Sequence, residues 1–487
     1  MAQMSLFTRL LLTSLLTACS CGSPAWSKSY APSRETPPMV TREFRGAWVA
    51  SVYNIDWPSR TGLSASAQQS ELRATLDQMT RLKLNAMIFQ VRPHGDALYR
   101  SKLEPWSPWL TGTMGRSPGY DPLAYCIAQA HARGIEVHAW FNPFRALPNT
   151  SMGASRSHIS RTHPSLIRPF KTYKWMDPAT SYTRQRALSV ILDVTRRYDI
   201  DGIHIDDYFY PYPDVDQNGR AKQVFPDGKS PSQRRGYVDG FVRDMYASVK
   251  KAKPWARVGI SPFGIWKPGI PSGTTASINA YEHLAADSRK WLRNGWCDYM
   301  SPQLYWRIAG PQGYNRLLSW WRAQGRRPVW PGIATARINS SEDPGRPASE
   351  IVNQVDLSRT TGRNYAGHIH WSIKSLRQNR GGISSLLARK TYTSAALVPP
   401  MPWLSQTRLP TPAVRASDTR TGIVAQWPAI RGASKYAVQA RYGKNWLTIK
   451  VLPASVTTLT LRGKPDAIAV SSVDRYGTTS TAGVVAR

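Results

Sequence analysis

Cysteine is the scarcest chemistry-bearing residue of this chain, with four in 487 residues, at positions 19, 21, 126 and 297. Cys19 and Cys21 fall in the N-terminal targeting region. Cys126 and Cys297 stand far apart within apparent secondary-structure elements, so no zinc-ligand spacing exists. Both read as small buried apolar residues, although export would permit a disulfide between them. Acid is scarce too: 30 Asp+Glu stand against 64 Lys+Arg, a formal charge of +34. That balance favours polyanions such as nucleic acid, anionic headgroups or an acidic wall polymer. No Lys/Arg-rich block or nucleic-acid motif accompanies it, so nucleic acid is not expected as a partner. No Gly-rich phosphate fingerprint follows the first strand-like run, which counts against a nucleotide-binding open sheet. No cofactor is expected.

Long apolar runs are also missing, except for a short one at the start. Arg9 precedes Leu10-Leu11-Leu12-Thr13-Ser14-Leu15-Leu16-Thr17-Ala18, too short to span a bilayer and placed where the core of a secretory signal belongs. Residues 1–25 therefore read as an export signal. Leu16-Thr17-Ala18-Cys19 resembles a bacterial lipobox, in which Cys19 would be acylated and anchor the protein to the membrane. Ser20 in place of an aspartate favours the outer membrane and thus the periplasmic face of the cell envelope. Simple cleavage after Ser23-Pro24-Ala25 and release to the periplasm is the competing reading.

After a Ser/Pro-rich leader over 26–40, short apolar strands alternate with amphipathic helices. Strands are expected at Phe44 to Ala50, Ala86 to Val91, Ile135 to Phe141, the Asp201-Gly202 run, Val258 to Ser261, Tyr299 to Tyr305, Val329 to Ile333 and His368 to Trp371. Helical stripes separate them; the clearest has Asp121 as N-cap, Pro122 at its first position and Gly134 past its end. Eight such units over 41–390 predict an α/β fold, a (β/α)8 TIM barrel. The longest loops then follow strands three, four and five, on the face where barrel chemistry sits. A Pro-rich linker over 391–412 leads to residues 413–487, which read as short strands. Trp427-Pro428, Lys435-Tyr436-Ala437-Val438 and the run Ala469 to Gly477 resemble a fibronectin type III domain, a small all-β sandwich for which spacer is the default role.

The chain centres on Asp201-Gly202-Ile203-His204-Ile205-Asp206-Asp207-Tyr208-Phe209-Tyr210-Pro211-Tyr212-Pro213. Ile203 and Ile205 alternate with His204, Asp206 and Tyr208, a strand with one apolar and one polar face. It ends in two carboxylates followed by aromatic surface, the mixture needed to bind a sugar ring and cleave beside it. Alternation puts Asp206 with His204 and Tyr208, and turns Asp207 away unless the strand has already ended.

Several strand-end runs carry a resemblance. Arg45 to Val49 with Asn54-Ile55-Asp56-Trp57-Pro58-Ser59, Gln90-Val91-Arg92-Pro93, His138 to Pro143, Asp201 to Pro211, Gly259 to Trp266 and Pro302 to Trp306 are together similar to the bacterial glycosyl-hydrolase-like family 10. The resemblance implies a cell-wall glycosidase related to divisome-localised lipoproteins that cut peptide-free peptidoglycan strands, and with it a polysaccharide substrate and cell-division partners. Asp206 also matches the nucleophile position of the amylase-type fourth-strand motif. The chitinase motif places a glutamate where this chain has Tyr208, which puts the substrate-assisted chitinase mechanism in doubt.

Asn54, Arg92, Asn142 and Gln303 offer hydrogen bonds to sugar hydroxyls and acetamides; Trp57, Trp140, Trp266, Tyr305 and Trp306 offer flat apolar faces. His204 and Tyr208 share the polar face of Asp206 and complete the expected sugar-binding set. Glycoside hydrolysis ordinarily needs a second carboxyl near the first, and Asp207, Asp96, Glu104, Glu282 and Asp287 are the candidates; Asp287 matches the family pattern but also suits a helix cap. Two other readings stay open. One is a non-catalytic wall-binding protein on a decayed barrel, favoured if no second acid lies near Asp206. The other is a metal-dependent hydrolase using His94, His138, His204 and Asp206, although none of these shows ligand spacing and no metal is expected.

Overall fold

The computed structural model describes residues 30–149, 151–362, 365–420 and 422–487. The export signal and Cys19 lie outside the described residues. Eight parallel strands form one sheet: β1 (Phe44–Val49), β2 (Ala86–Arg92), β3 (Glu136–Phe141), β4 (Gly202–Ile205), β5 (Arg257–Ile260), β6 (Tyr299–Met300), β7 (Gly332–Ile333) and β8 (Gly367–His370). The pairing order is β6-β5-β4-β3-β2-β1-β8-β7, and parallel bridges Met300↔Val329 and Gln303↔Gly332 join β6 to β7 and close the barrel. All eight strands are buried along their length, as a parallel sheet covered by helices requires.

The main helices follow the expected stripes: α1 (Ala65–Arg81), α2 (Pro122–His131), α3 (Ser181–Arg197), α4 (Pro231–Ala252), α5 (Ser288–Arg293), α6 (Tyr314–Arg322) and α7 (Ala348–Gly362). Asp121 caps α2 by accepting from Ala124 N at 3.0 Å, and Ser230 with Gln233 forms a capping box on α4. Cys126 and Cys297 are buried free thiols.

Aromatic side chains fill the barrel interior. Phe44 stacks on Trp330 at 4.1 Å, and the Tyr299 hydroxyl lies 2.9 Å from both His138 Nδ1 and His204 Nδ1. Such bulk fits because glycine faces it: a Cβ on Gly259 would meet the Tyr299 ring at 2.0 Å, and one on Gly202 would meet His138 Nδ1 at 2.8 Å.

The C-terminal strands are β9 (Arg415–Thr419), β10 (Gly422–Gln426), β11 (Lys435–Tyr442), β12 (Asn445–Pro453), β13 (Thr458–Arg462), β14 (Ala467–Val473) and β15 (Gly483–Ala486). They form two antiparallel sheets, β9-β10-β13 and β15-β14-β11-β12, around their own apolar core. The leader is more than a spacer: Ala31–Pro32 pairs antiparallel with β15. This unit packs on the end of the barrel where strands begin. Lys435 on β11 reaches Glu136 at 2.9 Å, Arg475 reaches Asp199 at 2.7 Å, and Val40, Leu397, Ala437 and Val473 make a shared apolar contact. The stretch expected as linker is therefore docked: Arg257 donates to Pro399 O at 2.8 Å and Trp403 to Asp298 at 3.0 Å.

Candidate active site

At the opposite end, β4 stops at Ile205, and the two residues after it both turn inward. Asp206 and Asp207 line one cavity of about 300 Å³. The strand has ended before Asp207, so alternation no longer sends that carboxyl toward the helices. The floor is apolar. Trp48, Trp140 and Trp371 meet there edge to face, with ring centroids 6.1 and 6.2 Å apart. Val52, Tyr53, Ile55, Tyr208 and Tyr305 add to the wall, with Gln90, Arg145, Ser261 and Gln303 as its other polar groups.

Hydrogen bonds lock Asp206 in place. Its Oδ2 accepts from Trp140 Nε1 at 3.2 Å and from Asn142 Nδ2, and its Oδ1 accepts from Tyr208 N at 3.2 Å. Asn142 is itself fixed by Gln90, whose Nε2 donates to Asn142 Oδ1 at 2.7 Å while its Oε1 accepts from Ser51 N at 3.0 Å and Val52 N at 2.9 Å. One polar chain thus ties the ends of β1, β2, β3 and β4. Asp207 accepts from the Tyr212 hydroxyl.

Asp206 is 5% exposed and Asp207 3%. Burial, then the neighbouring Asp207 charge, pushes Asp206 up to about 7; Arg145, Tyr208 N and Asn142 pull the other way. Burial raises Asp207 too, opposed by hydrogen bonds from Tyr212 and Gln303. Two raised carboxyls side by side in one cavity can supply an acid and a base to the same substrate. Arg145 comes from a three-stranded antiparallel sheet in the β3 loop, formed by Arg145–Leu147, Ile167–Phe170 and Tyr173–Met176. Its guanidinium lies 4.1 Å above the Tyr208 ring.

The expected site residues divide. Asp206, Asp207, Trp140, Tyr208, Gln303 and Tyr305 line the cavity, and Asn142 stands just behind Asp206. The others lie elsewhere. Trp57 is fully buried and donates to Gln68 O at 3.0 Å. Arg92 spends its guanidinium on Glu104, with Nε 2.9 Å from Oε2, and on Asn142 O, so neither Arg92 nor Glu104 faces the cavity. His204 lies below the cavity floor, 2.8 Å from Ser261 Oγ and 3.3 Å from Trp48 Nε1; burial, then His138, lowers its pKa well below the ordinary value and keeps it neutral. Asn54 donates to Pro58 O and Trp109 O, each at 2.9 Å. Trp266 packs on Tyr281 and Trp320, and Trp306 on Phe263. Asp287 caps α5 through Lys290 N at 3.3 Å and accepts from Trp266 Nε1 at 3.2 Å. Asp96 accepts from His94 N at 2.7 Å, and Glu282 pairs with Arg235 at 2.7 Å. Among the described residues, no group of three or more His, Cys, Asp or Glu is placed to hold a metal ion.

Trp48, Gln90, Arg145, Ser261 and Trp371 also line the cavity and are not among the residues expected there. Trp48, Gln90, Ser261 and Trp371 all sit at or near strand ends, a signal that was present; Arg145 depends on the path of a long loop and carries none.

Fold and site together define a glycosidase-type (β/α)8 barrel with a buried carboxyl pair at its mouth. The chain belongs to the family described as "Glycosyl hydrolase-like 10", whose model matches residues 43–345. It is 39% identical over 389 residues to the glycosyl hydrolase YngK of Bacillus subtilis (strain 168), covering 75% of each chain. It is 34% identical over 342 residues to the glycosyl hydrolase DigH of Escherichia coli (strain K12), covering 64% of this chain and 78% of that one. Among solved structures, the PgaB (BpsB) glycoside hydrolase domain from Bordetella bronchiseptica is similar at a TM-score of 0.45 and 12% identity, covering 72% of this chain and 98% of that one.

Proposed function

We propose that this protein is an exported glycoside hydrolase that cleaves the glycan strands of peptidoglycan, acting on strands whose stem peptides have been removed. The observation that carries the reading is the Asp206–Asp207 pair, two buried carboxyls both raised by burial, inside an aromatic-walled cavity. Such a pair can protonate a leaving sugar and supply a base in the same site. Asp207 also supports the catalytic reading over the non-catalytic one, which is favoured if no second acid lies near Asp206. The formal charge of +34 suits an anionic wall polymer.

Purified protein should release sugar fragments from sacculi stripped of peptides by an amidase faster than from intact sacculi. Equal rates on both, or cleavage of starch-like or chitin-like glucans alone, would refute the substrate. We also propose that Cys19 carries a lipid anchor at the outer membrane, where cell-division partners would be met. Cys19→Ser should then move the protein from the membrane fraction to the soluble one; a wild type already soluble with Trp26 at its N-terminus would refute the anchor.

A further inference from the structure

Acids that work in the ordinary way stand on either side of the scissile bond, one to protonate the leaving oxygen and one to attack C1 or to activate water. Here the cavity offers two carboxyls, on successive residues at the end of one strand, and among the described residues no other acid lines it. Asp206 is a poor nucleophile as placed. Its Oδ2 already accepts from Trp140 and Asn142, and its Oδ1 from Tyr208 N, so three of its four lone pairs are engaged. Asp207 is engaged by the Tyr212 hydroxyl. The pair is built to hold protons and N–H groups, and the nucleophile must come from elsewhere.

Resting on the peptidoglycan reading above, we infer that the nucleophile is the substrate's own 2-acetamido group, with Asp206 and Asp207 acting together on its N–H and on the glycosidic oxygen. The protonated carboxyl of the pair gives its proton to the glycosidic oxygen as the bond from C1 to the leaving sugar breaks. The acetamido carbonyl oxygen forms a new bond to C1 and closes a five-membered ring, while the ionised carboxyl accepts the acetamido N–H and offsets the positive charge. Water then attacks C1 and passes its proton to the carboxyl that gave one up. The ring bond at C1 breaks, its electrons return to the acetamido oxygen, and the configuration at C1 is retained. The wall fits this group. The indoles of Trp48, Trp140 and Trp371 give the acetamido methyl an apolar seat beside the carboxyls. Tyr305, kept protonated by burial and by the two carboxylates, offers a hydroxyl to the acetamido oxygen.

The test uses the full chain and the cyclic thiazoline of N-acetylglucosamine, a sugar in which a sulfur in place of the acetamido oxygen is already bonded to C1. Support consists of three results: the thiazoline raises the melting temperature and competes with peptide-stripped glycan strands, proton NMR shows product with retained configuration, and a fluorinated glycosyl fluoride leaves no covalent sugar on the protein by mass spectrometry. Inverted product, or a sugar ester on Asp206 or Asp207, overturns the inference while leaving the hydrolase reading standing. Thiazoline binding without cleavage of stripped strands supports the acetamido site and refutes the substrate instead. Neither binding nor cleavage overturns both.

Discussion

The strand β4 is bracketed by two aspartates that meet opposite fates. Asp201, at its start, lies among cations: His131 Nε2 at 2.8 Å and Arg475 Nη1 at 3.7 Å. Despite burial, His131 and Lys435 hold it below the ordinary carboxylate range, and Lys435, His138 and Arg257 do the same for its neighbour Glu136. Asp206, at the strand's end, is buried more deeply, and there burial and the Asp207 charge outweigh Arg145, so it rises to about 7. The residue type is the same and the strand is the same. What differs is whether cations or burial and a second carboxyl dominate the carboxyl's surroundings. At the lower end charge is neutralised and the C-terminal sheets are fastened on; at the mouth it is left unbalanced, as proton-transfer chemistry needs.

The sharpest way to break the comparison is at the mouth. Asp206→Asn removes the charge with almost no change of volume, and the amide oxygen can still accept from Trp140 and Asn142. Turnover on stripped glycan strands should fall by about three orders of magnitude or more, with circular dichroism unchanged. A variant that keeps more than about a tenth of wild-type turnover would show that Asp206 is not essential.

The lower end should fail in the other currency. Glu136→Gln leaves Lys435 without its partner across the junction between barrel and sandwich and Arg257 without its partner inside the barrel, and breaking a buried pair on one side costs about 3 to 5 kcal/mol. Urea unfolding should show that loss, while turnover per folded molecule stays at the wild-type value. Lost turnover with intact stability would mean that the two ends are not separate in role.

Most of the barrel was legible because apolar periodicity marks strands and helices wherever packing decides them. Strands six and seven are shorter than expected, with Pro302, Pro328 and Pro331 interrupting ladders that the apolar run suggested would continue. β9 went unread because Arg415–Thr419 is a polar, largely exposed edge with no apolar alternation. At the site, Asp206 was legible from its place at a strand end. Asp207 was legible as a candidate second carboxyl but not in its direction, since period-two alternation holds only while the ladder lasts. Trp57 misled for a related reason: Tyr53 and Asn54 adopt positive φ, the chain doubles back after β1, and the indole lands under α1 rather than at the mouth.

The two ends should also part in how stability depends on pH. Glu136 and Asp201 have lowered folded values, so their contribution is present above about pH 4.3, their unfolded range, and is lost as pH falls through the folded values. Asp206 runs the other way. Its folded value is raised from 3.8 to about 7, so its protonated form favours folding below about pH 4, and that contribution is lost as pH rises through 7. A rise of that size is worth at most about 4 kcal/mol, and because the cavity admits water the realised figure should be about 1 to 2. Asp206→Asn carries no such penalty. The variant that abolishes turnover should therefore melt about 1 to 3 °C above the wild type at pH 8 and close to it at pH 4.5, as scanning calorimetry at the two pH values would show. A gap of the same size at both values would mean that Asp206 is not strained by charge, and with it would go the contrast between the two ends of β4.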